Sequence, residues 1–171
     1  MIASAALVGS VVLQADDLSI NYDPDVDFTP FTTIKMREKT IVSARPELDN
    51  TLFVKRLERT IEEAFAARGL REAANIPDLF VDFTVTGEDV NTTRRGTPLP
   101  ALPRSGMRGR STGPETVRYT TATLVIDLVR PGDPMPVWRG VYRDDENTGS
   151  KLVQKLPEDA KKLIARYPPK K

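Results

Sequence analysis

Asp82 and Asp127 are the two side chains in this sequence with the strongest claim to chemistry, since each stands inside a β-rich run. Two carboxylates can hydrolyse a bond when one is held protonated and the other ionised, about 5–9.5 Å apart. Asp127 lies in Thr123-Leu-Val-Ile-Asp-Leu-Val129, which the cluster Pro131-Gly-Asp-Pro134 separates from Val137-Trp-Arg-Gly-Val-Tyr142. Proline and glycine turn the chain there, so the two runs read as a β-hairpin. A turn near Asp133 brings Asp127 close to Arg139 on the adjacent strand. That arrangement gives a competing and simpler reading, a surface cross-strand ion pair worth about 0.2–1 kcal/mol. The ion pair is preferred, and Trp138, the only tryptophan, is then expected in the core.

The rest of the reactive inventory is thin. The 171 residues include no Cys and no His. That removes thiol nucleophiles, His-based triads, disulfides and the usual zinc and haem ligands. Asp23-Pro-Asp-Val-Asp27 places carboxylates at the first, third and fifth positions of a calcium-loop pattern. Phe28 stands where its glycine is needed and Ile34 where its closing glutamate is needed. A solvated turn with Asp side chains capping backbone amides is the better reading. No catalytic residue, metal ligand or cofactor is therefore assigned. No glycine-rich phosphate motif or nucleophile elbow is present.

Charge points elsewhere. The net charge is +1, yet residues 1–34 contain five Asp and no Lys or Arg, leaving +6 on the remainder. Residues 91–116 lose periodicity, hold Pro98, Pro100, Pro103 and Pro114, and carry Arg94, Arg95, Arg104, Arg108 and Arg110. No acid occurs between Asp89 and Glu115. This reads as a long mobile basic loop between two paired strands, and its five arginines are the candidate contact for an anionic surface or partner. A plain solvated insertion is the alternative. Nucleic acid is disfavoured, because the loop has no aromatic side chain on which a base could stack.

The elements that would position these residues follow from periodicity. Leu18–Tyr22 alternates and reads as a strand, and Phe31–Arg37 as a second. Glu47–Arg68 is a helix with Val54, Leu57, Ile61, Ala64 and Phe65 on one stripe, capped by Asp49 or Asn50 and closed by Gly69. Leu79–Val90 is a long strand with Leu79, Val81, Phe83 and Val85 toward the core. A last helix spans Ser150–Arg166; Pro157 is expected to break its first turn, with the firm helix starting there. The order is β-β-α-β-(long loop)-β-β-α. It gives an α+β fold: a mostly antiparallel sheet of about five strands with two helices on one face. Residues 16–171 form one such domain.

Residues 1–15 are apolar apart from Ser4, Ser10 and Gln14, and Asp16-Asp17 follows. The segment is too short for a membrane span, which needs about 20 residues, so no transmembrane helix is expected. It fits the apolar and cleavage regions of a secretory signal, with a start upstream expected because the basic n-region is missing. A buried N-terminal strand or helix is the alternative. Leu7-Val8-Gly9-Ser10 has the form of a lipobox in which Ser10 occupies the cysteine position, so a thioether-linked lipid cannot attach there.

Five pieces of this chain together resemble a family of small bacterial envelope proteins, domain of unknown function 4136. They are Tyr22-Asp23 with Asp27-Phe28 and Phe31-x-Thr33; Ala67-x-Gly69-Leu70; Pro77-Asp-Leu-Phe-Val81; the hairpin Leu124–Val129 with Val137-Trp-Arg-Gly140; and Tyr167-Pro-Pro-Lys170. The resemblance runs over roughly residues 18–170 and implies export to the periplasm or outer membrane, typically as a lipoprotein. It brings no catalytic residues. Ser10 and the Pro- and Arg-rich loop depart from the family pattern. The expected function is a non-enzymatic binding or scaffolding domain whose partner is an envelope protein or an anionic envelope surface. The alternatives are a carboxylate-dependent hydrolase using Asp82 and Asp127, or an intracellular module binding anions or nucleic acid through the arginine-rich loop.

Overall fold

The structure, a computed structural model, describes residues 17–94, 115–146 and 148–168. Strand β1 (Asp17–Tyr22) is followed by β2 (Thr33–Ser43), helix α1 (Thr51–Ala66) and the two-residue β3 (Arg71–Glu72). Then come β4 (Leu79–Arg94), β5 (Glu115–Val129), β6 (Pro136–Glu146) and helix α2 (Gly149–Ile164). They form one six-stranded sheet in the order β1-β6-β5-β4-β2-β3.

The α+β class holds, but the sheet is mixed rather than mostly antiparallel, and it has six strands rather than five. β2 runs parallel to both β4 and β3. The cause is α1: a helix inserted between two neighbouring strands carries the chain back across the sheet, so the second strand starts at the same end as the first. The β4–β5 and β5–β6 pairs are hairpins and stay antiparallel, as does β1 against β6. The segment 91–116 is also shorter as a loop than its composition implies. Pairing continues to Arg94 opposite Glu115. Residues 95–114, and residues 1–15 with their signal and lipobox patterns, lie outside the described residues.

β2 extends past Arg37, where sequence alternation ends, because a bulge sits between Met36 and Glu38. One extra residue inverts the phase. Ile34 and Met36 face the core before it; Ile41 packs against the core after it. The turn between β5 and β6 forms as its residues demand. Gly132 has φ +82° and the Asp133 amide donates to the Arg130 carbonyl at 3.2 Å.

Both helices contribute to one core. Leu57, Ile61 and Phe65 of α1 and Leu156, Leu163 and Ile164 of α2 are fully or almost fully buried, with Val81, Phe83, Leu124, Ile126 and Trp138 of the sheet. Asn50 caps α1, its side-chain oxygen accepting from the Leu52 and Phe53 amides. Gly69 closes it with φ +90°.

The expected break at Pro157 is absent, and α2 runs through it unbroken from a Thr148 cap. A mid-helix proline leaves the carbonyl four residues earlier without its donor. Here that carbonyl is Val153, and the Arg56 guanidinium of α1 donates to it. Pro157 itself is buried. The tertiary contact supplies what the helix ladder loses.

Candidate functional site

The open face of the sheet carries the carboxylates expected to matter. Asp127 and Arg139 are register partners on β5 and β6. Nε and Nη2 of Arg139 each donate to one carboxylate oxygen at 2.7 Å. Asp82 stands directly opposite Asp127 on β4. It in turn accepts from Nε and Nη2 of Arg37 and, at 3.1 Å, from the Glu38 amide. A row Arg37, Asp82, Asp127, Arg139 thus crosses four strands, with Asn21 of β1 beyond it. The carboxylate hydrogen bonds hold both guanidinium pKa values above their ordinary range. Arg37 also lies over the Phe80 ring, 5.3 Å from its centroid.

This geometry argues against the hydrolase reading. Two adjacent carboxylates act as acid and base only if their surroundings separate them. Here each is met by its own two-pronged guanidinium and both side chains are 18% exposed, Asp82 accepting in addition from the Glu38 amide. Each carboxylate thus already has its own cationic partner. Arg37 was not singled out from the sequence, because the bulge that turns it toward Asp82 leaves no periodic signal.

Of the five candidate arginines, Arg94 closes β4, and its side chain lies outside the described residues, as do Arg95, Arg104, Arg108 and Arg110. What the structure adds is a cleft of about 410 Å³ near the root of that segment, lined by Arg45, Asp89, Asn91, Arg118, Tyr119 and Thr120. Arg45 donates to Asp89 Oδ1 at 2.8 and 2.6 Å, and the Thr120 hydroxyl donates to the same oxygen at 3.1 Å. These bonds hold the Asp89 carboxyl below the usual range. Arg118 is exposed and without an ion pair among the described residues.

A third polar group lies between α2 and β6. Asp159 is 1% exposed and its carboxyl is pushed up by burial, against the pull of Lys162, whose Nζ donates to Oδ1 at 3.0 Å. Lys162 also reaches the Tyr142 hydroxyl at 3.3 Å. Lys155 bridges Asp144 at 2.9 Å and Glu146 at 2.7 Å. Both lysines are held above their ordinary range by these partners. The network fastens helix to sheet through charges that face one another. Nothing in the sequence flagged it, since the charges occupy ordinary surface spacings on α2.

The Asp-rich turn behaves as read from sequence: the Asp25 and Thr29 amides donate to Asp23 and Asp27 side chains at 2.9 and 3.0 Å. Among the described residues no group of three or more metal-ligating side chains forms. No described helix is long and apolar enough to cross a membrane.

The fold and these surfaces define an α+β domain with one helix-covered sheet face and one charged open face. The chain belongs to the family described as Domain of unknown function (DUF4136), whose model matches residues 18–169. No curated protein matches it. Among solved structures, it is similar to a PDZ domain protein from Parabacteroides distasonis, with a TM-score of 0.57 and 14% identity over 90% of this chain. It spans 36% of that protein's length. A neuraminyllactose-binding hemagglutinin homolog from Helicobacter pylori matches with a TM-score of 0.50 and 11% identity, over 82% of this chain and 87% of the other. A DUF4136 family protein from Bacteroides thetaiotaomicron matches at 0.46 and 17%, over 88% and 92%. At these identities the likeness to the first two is one of fold alone.

Proposed function

We propose that this chain is an exported, non-enzymatic binding or scaffolding domain of a bacterial envelope, working in the periplasm or at the outer membrane. The observation that carries the non-enzymatic part is the paired row on the open sheet face, where Asp82 and Asp127 are each engaged by an arginine. The apolar character of residues 1–15 and the family resemblance support export. Cell fractionation with intact mass of the native protein tests it. A mature chain beginning at Asp16 in the envelope fraction is expected; an intact Met1 in the cytoplasm would refute export.

A second reading concerns the arginine-rich segment as the contact for an anionic envelope surface or acidic partner. It rests on the acid-free run between Asp89 and Glu115 and on Arg118, in the cleft near its root and without an ion pair among the described residues. Pulldown from envelope extract with the full chain and with residues 94–112 deleted separates the two readings. Unchanged partners would remove the arginines from the function.

A further inference from the structure

The two edges of the sheet are guarded very differently. β3, at one edge, is two residues long. β1, at the other, is six residues long and pairs only with β6. Among the described residues, its outward backbone amides and carbonyls have no strand partner. Proteins blunt such an edge with lysines, prolines, bulges or a cover. Asp17-Leu-Ser-Ile-Asn-Tyr22 has one charge, at its start, no proline, and an unbroken register with β6.

Beside this edge, on the helix-covered side of the sheet, lies a groove of about 730 Å³. Ile20 and Tyr22 of β1 line it, with Arg68 after α1 and Ala165 and Arg166 after α2. Arg68 and Ala165 also line a second hollow of about 440 Å³ between the helix ends, so the two adjoin, and Lys161 stands in the latter. Lys161 is paired with Glu158 at 2.8 Å. Arg68 and Arg166 are exposed and make no side-chain hydrogen bond or ion pair with any described residue. Tyr22 is 39% exposed.

From these observations we infer that the β1 edge and its groove receive an extended acidic peptide segment of a partner protein, added to the sheet as a seventh strand. Strand addition uses the open backbone row for affinity and the neighbouring hollows for side-chain selection. Alternate residues of an added strand point to one face. On the groove side they would set apolar groups over Ile20, Tyr22 and Ala165, and carboxylates against Arg68 and Arg166. The free guanidiniums select the sign of the segment, and the backbone edge selects a peptide over a lipid, which has no ladder to form.

This inference rests on the binding-domain reading above, and the test separates the two. The probe is a short acetylated and amidated peptide in which threonine alternates with valine or glutamate, titrated into the full chain. Binding is followed by fluorescence polarisation and amide hydrogen exchange. The expected result is binding that protects amides in Leu18–Tyr22 and weakens about tenfold or more in the Arg68→Glu, Arg166→Glu double variant. It should be lost when the peptide carries N-methyl groups along one backbone edge, a control that alters no residue of the protein. Equal binding of the N-methylated peptide, or no binding up to millimolar peptide, overturns the inference. So does a groove that instead binds phosphatidylglycerol vesicles, or a dimer that the double variant dissolves, which would assign it to a lipid or to a second copy. A chain that keeps its partners in the extract pulldown but ignores the peptide defeats the groove alone.

Discussion

Replacing Tyr167 by Phe removes a single buried hydroxyl and so tests the packing of the helix-covered core. Tyr167 is 3% exposed, and the rings of Phe28, Phe65 and Trp138 meet it edge-on with centroids 5.8, 5.9 and 6.0 Å away. Its oxygen has no hydrogen-bond partner among the described residues. Burial, with a smaller contribution from the Asp78 charge, pushes the phenol from 10.0 up to about 12. The folded-state value lies above the unfolded one, so this stability is complete below about pH 10 and is lost as pH rises toward 12. Two pKa units correspond to about 2.7 kcal/mol at most. Tyr167→Phe should abolish that alkaline loss. At neutral pH it should be neutral or stabilising by up to about 1 kcal/mol, because a buried hydroxyl without a partner costs free energy. Tyr167→Ala, which also removes the ring, should cost about 3–5 kcal/mol. Urea unfolding followed by the fluorescence of Trp138, the only tryptophan, reads all three at neutral pH and between about pH 9 and 11. Parallel alkaline loss in wild type and Tyr167→Phe would refute the desolvation. A loss above about 1 kcal/mol at neutral pH would show the hydroxyl to be bonded.

Asp78 accepts from both the amide and hydroxyl of Thr32 and of Thr33, which holds its carboxyl below 3.8 and ties the start of β2 to the start of β4. Its contribution should be full above about pH 4 and disappear as pH falls through the lowered value; an acid-unfolding profile unchanged in Asp78→Asn would contradict this. Gly140→Ala would drive a Cβ to 2.7 Å from Leu163 Cγ and from the Trp138 ring. An overpacking loss of about 1–3 kcal/mol in chemical denaturation is expected, and an unchanged midpoint would show that α2 can yield. A double-mutant cycle on Asp127 and Arg139 should give a coupling of only about 0.2–1 kcal/mol, as for other partly exposed pairs; a value well above 2 would mean the row is a stability device.

The parts of the fold that were legible are those written in contiguous residues. The β5–β6 hairpin followed from two alternating runs about a proline-glycine turn, and the core side of β4 from Leu79, Val81, Phe83 and Val85. Where the fold departs from the local pattern, a specific competing contact decides. The Arg37 bulge inverts the alternation of β2 and hides half its length. Arg56 satisfies the carbonyl that Pro157 orphans, so a residue that ends isolated helices does not end this one. The parallel pairing of β2 with β4 depends on α1 crossing the sheet, which periodicity alone does not encode, and a two-residue β3 has no period to detect.

Candidate surfaces obey the same division. The pair Asp127 and Arg139 was readable because a hairpin of known turn sets its register; the meeting of Asp82 with Asp127 required the register of strands joined through residues 95–114, which sequence does not specify. The groove beside β1 is harder still, since Ile20, Arg68 and Arg166 come from three distant places and none belongs to a motif. Its logic is visible only by contrast. On the open face, Arg37 and Arg139 are satisfied by Asp82 and Asp127. At the β1 edge, Arg68 and Arg166 and a full strand of backbone groups are left without described partners. Free polar capacity with an apolar floor is what a partner strand can use, whereas carboxylates already held by arginines have little left to offer one. The sequence drew attention first to the carboxylates; the pairing pattern moves it to the edge.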